Sequence, residues 1–263
     1  MVGAIIGDVA GSRFEFNNRR SKEFILFHPN CRPTDDSVMT LAVGQALMNC
    51  EGDWTKLKDE AVACMRRIGK RYPAAGYGGR FYRWLLLSDD PEPYNSYGNG
   101  AAMRVSAVGY VAKDMEEAKR LSRAVTEVTH NHPEGIKGAE ATVACMMLAK
   151  EGKTIDEIRA YVNEHYYTMD FTLDEIRPTY RFNETCQQTV PQAIEAFLES
   201  TGYEDAIRNA ISIGGDSDTL AAITGAIAGM YYGIPEDLRE KLNGFMDPYL
   251  IRILEAFEAK YMS

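Results

Sequence analysis

The chain has 263 residues, 45% of them apolar and 25% charged, the composition of a soluble globular protein with enough length to bury a sizeable core. Its net charge of −9 and pI of about 5.1 argue against a broad nucleic-acid or acidic-membrane surface, while leaving room for a small anionic ligand. The five cysteines (Cys31, Cys50, Cys64, Cys145 and Cys186) include no C-x-x-C pair, and no basic stretch precedes Asp8, so reduced core thiols and a cytoplasmic location are expected.

Gly3 to Gly11 is apolar and small, with Asp8 inside it, and reads as a short buried helix. Ser12 to Pro33 is irregular and mixed in charge, a surface loop of functional length that holds Glu15. Thr34 or Asp35 caps a helix to about Cys50 whose apolar residues go almost all the way round, as in a central helix. Asp59 to Tyr72 is amphipathic. A glycine loop, Gly76 to Arg80, and an aromatic-rich segment to Leu87 follow, then a polar, proline-rich stretch to Tyr97. Ser96-Tyr97-Gly98-Asn99-Gly100 leads into a small-residue helix to Lys113. Asp114 with Glu117, and Thr154 with Glu157, form capping boxes for two further helices. Between them, His130 to Pro133 breaks the chain and a helix spans Glu134 to Lys150. Thr168 to Asn183 lacks helical periodicity, and a short extended piece is expected there. Thr185 to Ser200 is helical, with Pro191 marking a kink or restart, and Tyr203 to Ile213 is helical again. Leu220 to Tyr232 reads as a buried helix, and two amphipathic helices end the chain. The longest low-charge run, Leu220 to Pro235, falls short of the ~20 residues that span a bilayer. One compact all-α domain over residues 1–263 is expected.

Two acidic clusters stand out. Gly214-Gly215-Asp216-Ser217-Asp218-Thr219 places two carboxylates and a hydroxyl at the mouth of an apolar helix, where capping alone needs one such side chain. Thr34-Asp35-Asp36-Ser37 repeats the chemistry near the other end of the chain. Short oxygen-bearing side chains that converge suit hard cations, so the two clusters are expected to meet around the same metals.

Five motifs together resemble the ADP-ribosylglycohydrolase family: Gly7-Asp8 through Glu15, Pro33 to Ser37, Tyr97 to Arg104, Thr129-His130, and Gly214 to Thr219. The resemblance implies a compact orthogonal helix bundle, two Mg²⁺ or Mn²⁺ ions, and cleavage of the glycosidic bond to ADP-ribose. It implies Thr34, Asp35 and Asp36 as ligands on one side of the metals and Asp216, Asp218 and Thr219 on the other. It also implies Glu15 as a proton-transfer group near the reaction centre, with Asp36 the second candidate. His130 is implied to approach the diphosphate. Backbone N–H groups reach a diphosphate only where side chains are absent, so Gly78, Gly79, Gly98 and Gly100 are candidate contacts, with Ser96 and Asn99 adding donors. His132 reads as a cap or surface residue, and Arg104 as a structural one.

The expected partner is thus an ADP-ribosylated protein side chain or small molecule, with ADP-ribose as product, no membrane and no nucleic-acid surface. Three alternatives remain: a weakly active or inactive ADP-ribose-binding protein on the same fold, a two-metal hydrolase that cuts the diphosphate, and a plain structural protein, for which two buried acidic clusters would be a gratuitous cost.

Overall fold

The computed structural model describes residues 1–262. It is all-α: among the described residues there is no strand, and the one paired stretch of extended backbone is an isolated antiparallel bridge between Gly98 and Thr185. The helices are α1 (Val2–Gly11), α2 (Asp35–Cys50), α3 (Leu57–Gly69), α4 (Gly79–Tyr82), α5 (Gly100–Met103), α6 (Ser106–Val111), α7 (Met115–Thr126), α8 (Pro133–Lys150), α9 (Ile155–His165), α10 (Leu173–Ile176), α11 (Cys186–Leu198), α12 (Tyr203–Ser212), α13 (Ser217–Tyr232), α14 (Glu236–Leu242) and α15 (Pro248–Tyr261). No helix among the described residues is long and apolar enough to cross a membrane. All five cysteines are free and buried.

α13 lies at the centre. Every residue from Ser217 to Gly229 is buried, and α1, α8, α11 and α12 pack around it. A helix apolar on all sides has to be enclosed in this way. Its closest neighbour is α1, and three glycines explain the approach. A Cβ on Gly7 would lie 2.0 Å from the Ala221 carbonyl oxygen, one on Gly11 2.5 Å from Asp218 Cα, and one on Gly3 2.2 Å from the Gly225 oxygen. With a glycine on each turn of α1 at the contact, the two backbones touch. That contact carries Asp8 to the N-terminus of α13.

Local chemistry sets the helix ends. Thr34 is the N-cap of α2, accepting from Asp36 N. The Thr154–Glu157 box is complete. At α7 Asp114 accepts from Glu117 N as expected, but the Glu117 side chain takes the Lys113 N–H instead of closing the box. His132 Nδ1 accepts from Glu134 N at 3.1 Å, with Pro133 opening α8.

Three expectations need correction. The extended piece between Thr168 and Asn183 is a short helix, α10, because Thr172 and Glu175 form a capping box too local for periodicity to register. The helix from Gly100 to Lys113 is two helices, interrupted at Arg104 and Val105. Of the two readings of Pro191, a kink or a restart, the restart is excluded, because α11 continues through it.

Candidate metal centre and cleft

The two acidic clusters meet. Oxygens of Asp8, Asp36 and Asp218 lie within 4.8 Å of one another, and so do oxygens of Glu15, Asp216 and Asp218. Asp218 belongs to both groups. A direct bond joins the two ends of the chain, from Thr219 Oγ1 to Asp36 Oδ2 at 3.3 Å.

Asp8, fully buried in α1, organises the first group. Its carboxylate accepts from Thr34 N at 2.9 Å, Thr34 Oγ1 at 2.6 Å, Ser37 N at 3.0 Å and Ser37 Oγ. These bonds fix the first turn of α2 and leave Asp8 largely saturated. Asp36 differs: its Oδ1 is buried with no hydrogen-bond partner. An ionised oxygen in that position is costly unless a cation or a proton meets it.

The second group is set by α13. Asp216 occupies the N-cap position but makes no capping bond, so its carboxylate is free to turn elsewhere. It accepts from Asn99 Nδ2 at 2.7 Å. Asp218 Oδ1 accepts from Thr219 N at 3.0 Å. Gly214 and Gly215 both have positive φ, a turn that only glycine adopts without strain.

Burial raises the pKa of Asp8, Asp36, Asp216 and Asp218 first, and for Asp36 and Asp218 the neighbouring carboxylates raise it further. Asp35, which lines the cleft, is pushed up to about 8 by desolvation and then by Asp8, Asp216 and Glu15. Half-buried Glu15 is pushed up to about 7 by desolvation, with Asp216 next. Among the described residues no lysine or arginine forms an ion pair with any of these aspartates. The nearby charges of Arg32, which acts on Glu15, and Arg104 do not pair with the aspartates, and the oxygen-only donor set suits Mg²⁺ or Mn²⁺ better than softer metals.

The cluster lines a cleft of about 390 Å³. Gly78, Gly79, Ser96, Gly98, Gly100 and His130 line the same cleft. His130 is buried and sits against Arg104, whose guanidinium donates to Thr129 Oγ1 at 2.6 Å, while that hydroxyl lies 2.7 Å from His130 Nδ1. Arg104 has no lone pair to offer, so the arrangement makes Nδ1 the acceptor and puts the ring proton on Nε2, the nitrogen facing Gly98 and Gly100. Burial, then Arg104 and Arg80, push the His130 pKa well down, so the ring is neutral. Arg104 itself lines the cleft, fully buried, with Nε and Nη1 unpartnered.

Two expected donors are already engaged. The Asn99 amide serves Asp216 and, at 3.3 Å, Thr189, while its N–H donates to the Glu184 carbonyl. The other is the Gly98 N–H, which donates to Ser96 Oγ at 3.2 Å, a contact in which the Ser96 hydroxyl only accepts. Sequence reasoning assigned no role to Asp8. The signal was available, since an aspartate inside an otherwise apolar helix needs buried partners. It also missed the Arg104–Thr129–His130 relay.

The family model described as ADP-ribosylglycohydrolase matches residues 1–261. The mouse protein "ADP-ribosylhydrolase ARH3" is 26% identical, the match covering 93% of this chain and 86% of that protein. The Rhodospirillum rubrum protein "ADP-ribosyl-[dinitrogen reductase] glycohydrolase" is 25% identical, over 77% of this chain and 70% of its own. A solved structure titled "ADP-ribosylglycohydrolase-related protein complex" superposes with a TM-score of 0.66 at 21% identity, covering 98% of this chain and 94% of the other, which is a likeness of fold.

Proposed function

Because the chain belongs to the ADP-ribosylglycohydrolase family, we propose that it is a metal-dependent hydrolase, acting as one domain over residues 1–263. It would cleave the glycosidic bond of an ADP-ribosylated protein side chain or small molecule and release ADP-ribose. The observation that carries this reading is the pair of carboxylate groups sharing Asp218, with Asp36 Oδ1 buried and unpartnered between the two ends of the chain. Thr34, Asp35 and Asp36 would hold two Mg²⁺ or Mn²⁺ ions from one side, and Asp216, Asp218 and Thr219 from the other. Asp8, with its oxygens already occupied, would position Thr34 and Ser37. When bound, such ions supply Lewis-acid attraction for the ribose hydroxyls beside the scissile bond.

The protein's own groups do the rest. In the cation-free protein Glu15 is raised to about 7 by desolvation and Asp216, and its carboxyl beside the cluster would be the group that takes or gives a proton. It would serve the water or the leaving-group atom at the anomeric carbon, as one of the two carboxylates a glycosidic cleavage uses. Asp36 would be the second candidate for proton handling. In the same cleft, the glycine backbones, Ser96, the His130 Nε2–H and the Arg104 charge would bind the diphosphate, with Asn99 acting through Asp216. Holding both ends of the substrate places the scissile bond at the carboxylates, and such positioning supplies much of the acceleration.

The test is a panel of ADP-ribosylated substrates (arginine-, serine- and nucleic-acid-linked, and O-acetyl-ADP-ribose) incubated with Mg²⁺ or Mn²⁺ and analysed by chromatography. Intact ADP-ribose is the expected product, lost on adding EDTA. AMP with ribose phosphate would move the cut to the diphosphate. Tight ADP-ribose binding without turnover of any substrate would make the chain a binding protein.

A further inference from the structure

Glu15 lies in the irregular stretch between α1 and α2, and among the described residues nothing donates a hydrogen bond to its carboxylate. Its position has to come from elsewhere. Three residues on, the Asn18 amide donates to the Phe14 carbonyl at 2.8 Å and the Glu15 carbonyl at 3.0 Å, closing the turn that presents Glu15. The same nitrogen lies 2.8 Å from the Gly215 carbonyl, so its two hydrogens are shared among three acceptors, and Asn18 Oδ1 accepts from Gly215 N at 2.9 Å. One side chain thus ties both polar backbone groups of the residue before Asp216 to the backbone of Glu15. Arg20 adds a second tie, donating to the carbonyls of Ile213 at 2.8 Å and Tyr180 at 2.6 Å, and to that of Arg177.

The Gly214–Gly215 turn is shaped to receive these groups. A Cβ on Gly214 would stand 3.1 Å from Asn18 Oδ1 and 3.3 Å from Arg20 Cζ, and one on Gly215 2.3 Å from Tyr180 Cε1. Asn18 and Arg20 are themselves exposed, so packing does not account for them. An aspartate at position 18 would have no N–H for the three carbonyls and would add negative charge beside Asp216.

We propose that Asn18, assisted by Arg20, is a positioning residue that fixes Glu15 against the Asp216–Asp218 side of the cluster. This inference rests on the proposed role of Glu15 and the proposed ions. Opening the staple lets the Glu15 turn and the Gly214–Gly215 turn drift apart, while the Asp8–Asp36 side stays in place.

The experiment compares wild type, Asn18→Ala, Arg20→Ala, Glu15→Gln and Asn18→Ala/Glu15→Gln. Hydrogen exchange should speed up about tenfold in residues 14–20 and 214–216 of Asn18→Ala, with little change in α1 and α2. Mn²⁺ titration followed by electron paramagnetic resonance should show one ion weakened by about 10- to 100-fold and the other unchanged. kcat should fall by a similar factor with KM nearly constant, and Asn18→Ala should cost less than about threefold more in the Glu15→Gln background. Arg20→Ala should give the same pattern at smaller size. Unchanged exchange at 14–20 and 214–216 overturns the staple whatever the activity, as does an equal kcat loss with and without Glu15. A wild type that binds no Mn²⁺ or releases no ADP-ribose would instead overturn the proposed function, and the exchange data would still decide the staple.

Discussion

Asp8 and Asp36 sit on helices, and every hydrogen bond that fixes Asp8 comes from the first turn of α2 or its cap. Glu15 and Asp216 sit on turns, and the bonds around them come from side chains such as Asn18 and Asn99. The first side is buried and set by backbone contact between α1 and α13. The second is set by side-chain amides, exposed Asn18 and buried Asn99, and groups of both sides line the cleft. Where a group must bind without moving, a helix start holds it; where a group must meet different protonation states and substrates, a turn allows some adjustment. Asp218 is the point at which the two kinds of construction join.

The largest expected effect falls on that junction. Asp218→Asn should weaken both ions, because Asp218 has an oxygen in each group. Loss of outer partners of metal ligands already costs about 10- to 100-fold, so ADP-ribose release should fall by more than about 100-fold. Titration with Mn²⁺ tests the comparison directly: one ion lost and one retained would mean that the two sides are independent.

Gly7→Ala should act next most strongly, and on the helical side. The new methyl would sit 2.0 Å from the Ala221 oxygen, so α1 and α13 must separate. Overpacking of this kind costs about 1–3 kcal/mol or more, and a drop in melting temperature of several degrees is expected. The shift would carry Asp8 away from Thr34 and Ser37, so cation affinity should fall as well. A variant with wild-type melting temperature and affinity would show that helix contact does not set this side.

The same contrast explains what could be read before the structure. The helices with strong local signals, such as the one capped by Thr154 and Glu157, were legible because their determinants lie within a few residues. So was the likeness between the two acidic clusters, each a short run of aspartates and hydroxyls opening an apolar helix. Asp8 was not legible as a partner of Asp36 and Asp218, since its place depends on how closely α1 approaches α13. The break at Arg104 was hidden for a related reason. Apolar spacing continued through it, while the cause is tertiary: Arg104 is drawn to Thr129 and His130. Asn99 looked like a free donor beside glycines, and only the fold shows its amide committed to Asp216.

The smallest effect expected concerns pH, and it separates the two sides by their protons. In the cation-free protein Asp35 is raised from 3.8 to about 8 and Glu15 from 4.5 to about 7. Between the lower and upper values the folded state binds more protons than the unfolded chain. Stability contributed by these groups is therefore full below about pH 4 and is lost as pH rises towards 8. Surface carboxylates such as Asp237, held low by its bond with Lys241, slope the other way. The cluster is isolated by the difference between melting curves recorded in EDTA and in Mg²⁺ from pH 5 to 8.5. That difference should widen as pH rises, because the cation favours the ionised carboxylates and must displace fewer protons to bind them. Glu15→Gln should leave most of the widening, since its rise from 4.5 to about 7 is smaller than that of Asp35 from 3.8 to about 8. Asp35→Asn should remove a larger share. If Glu15→Gln alone flattened the difference, the turn side and not the helix side would carry the electrostatic strain of the empty cluster, and the contrast between the two would have to be reversed.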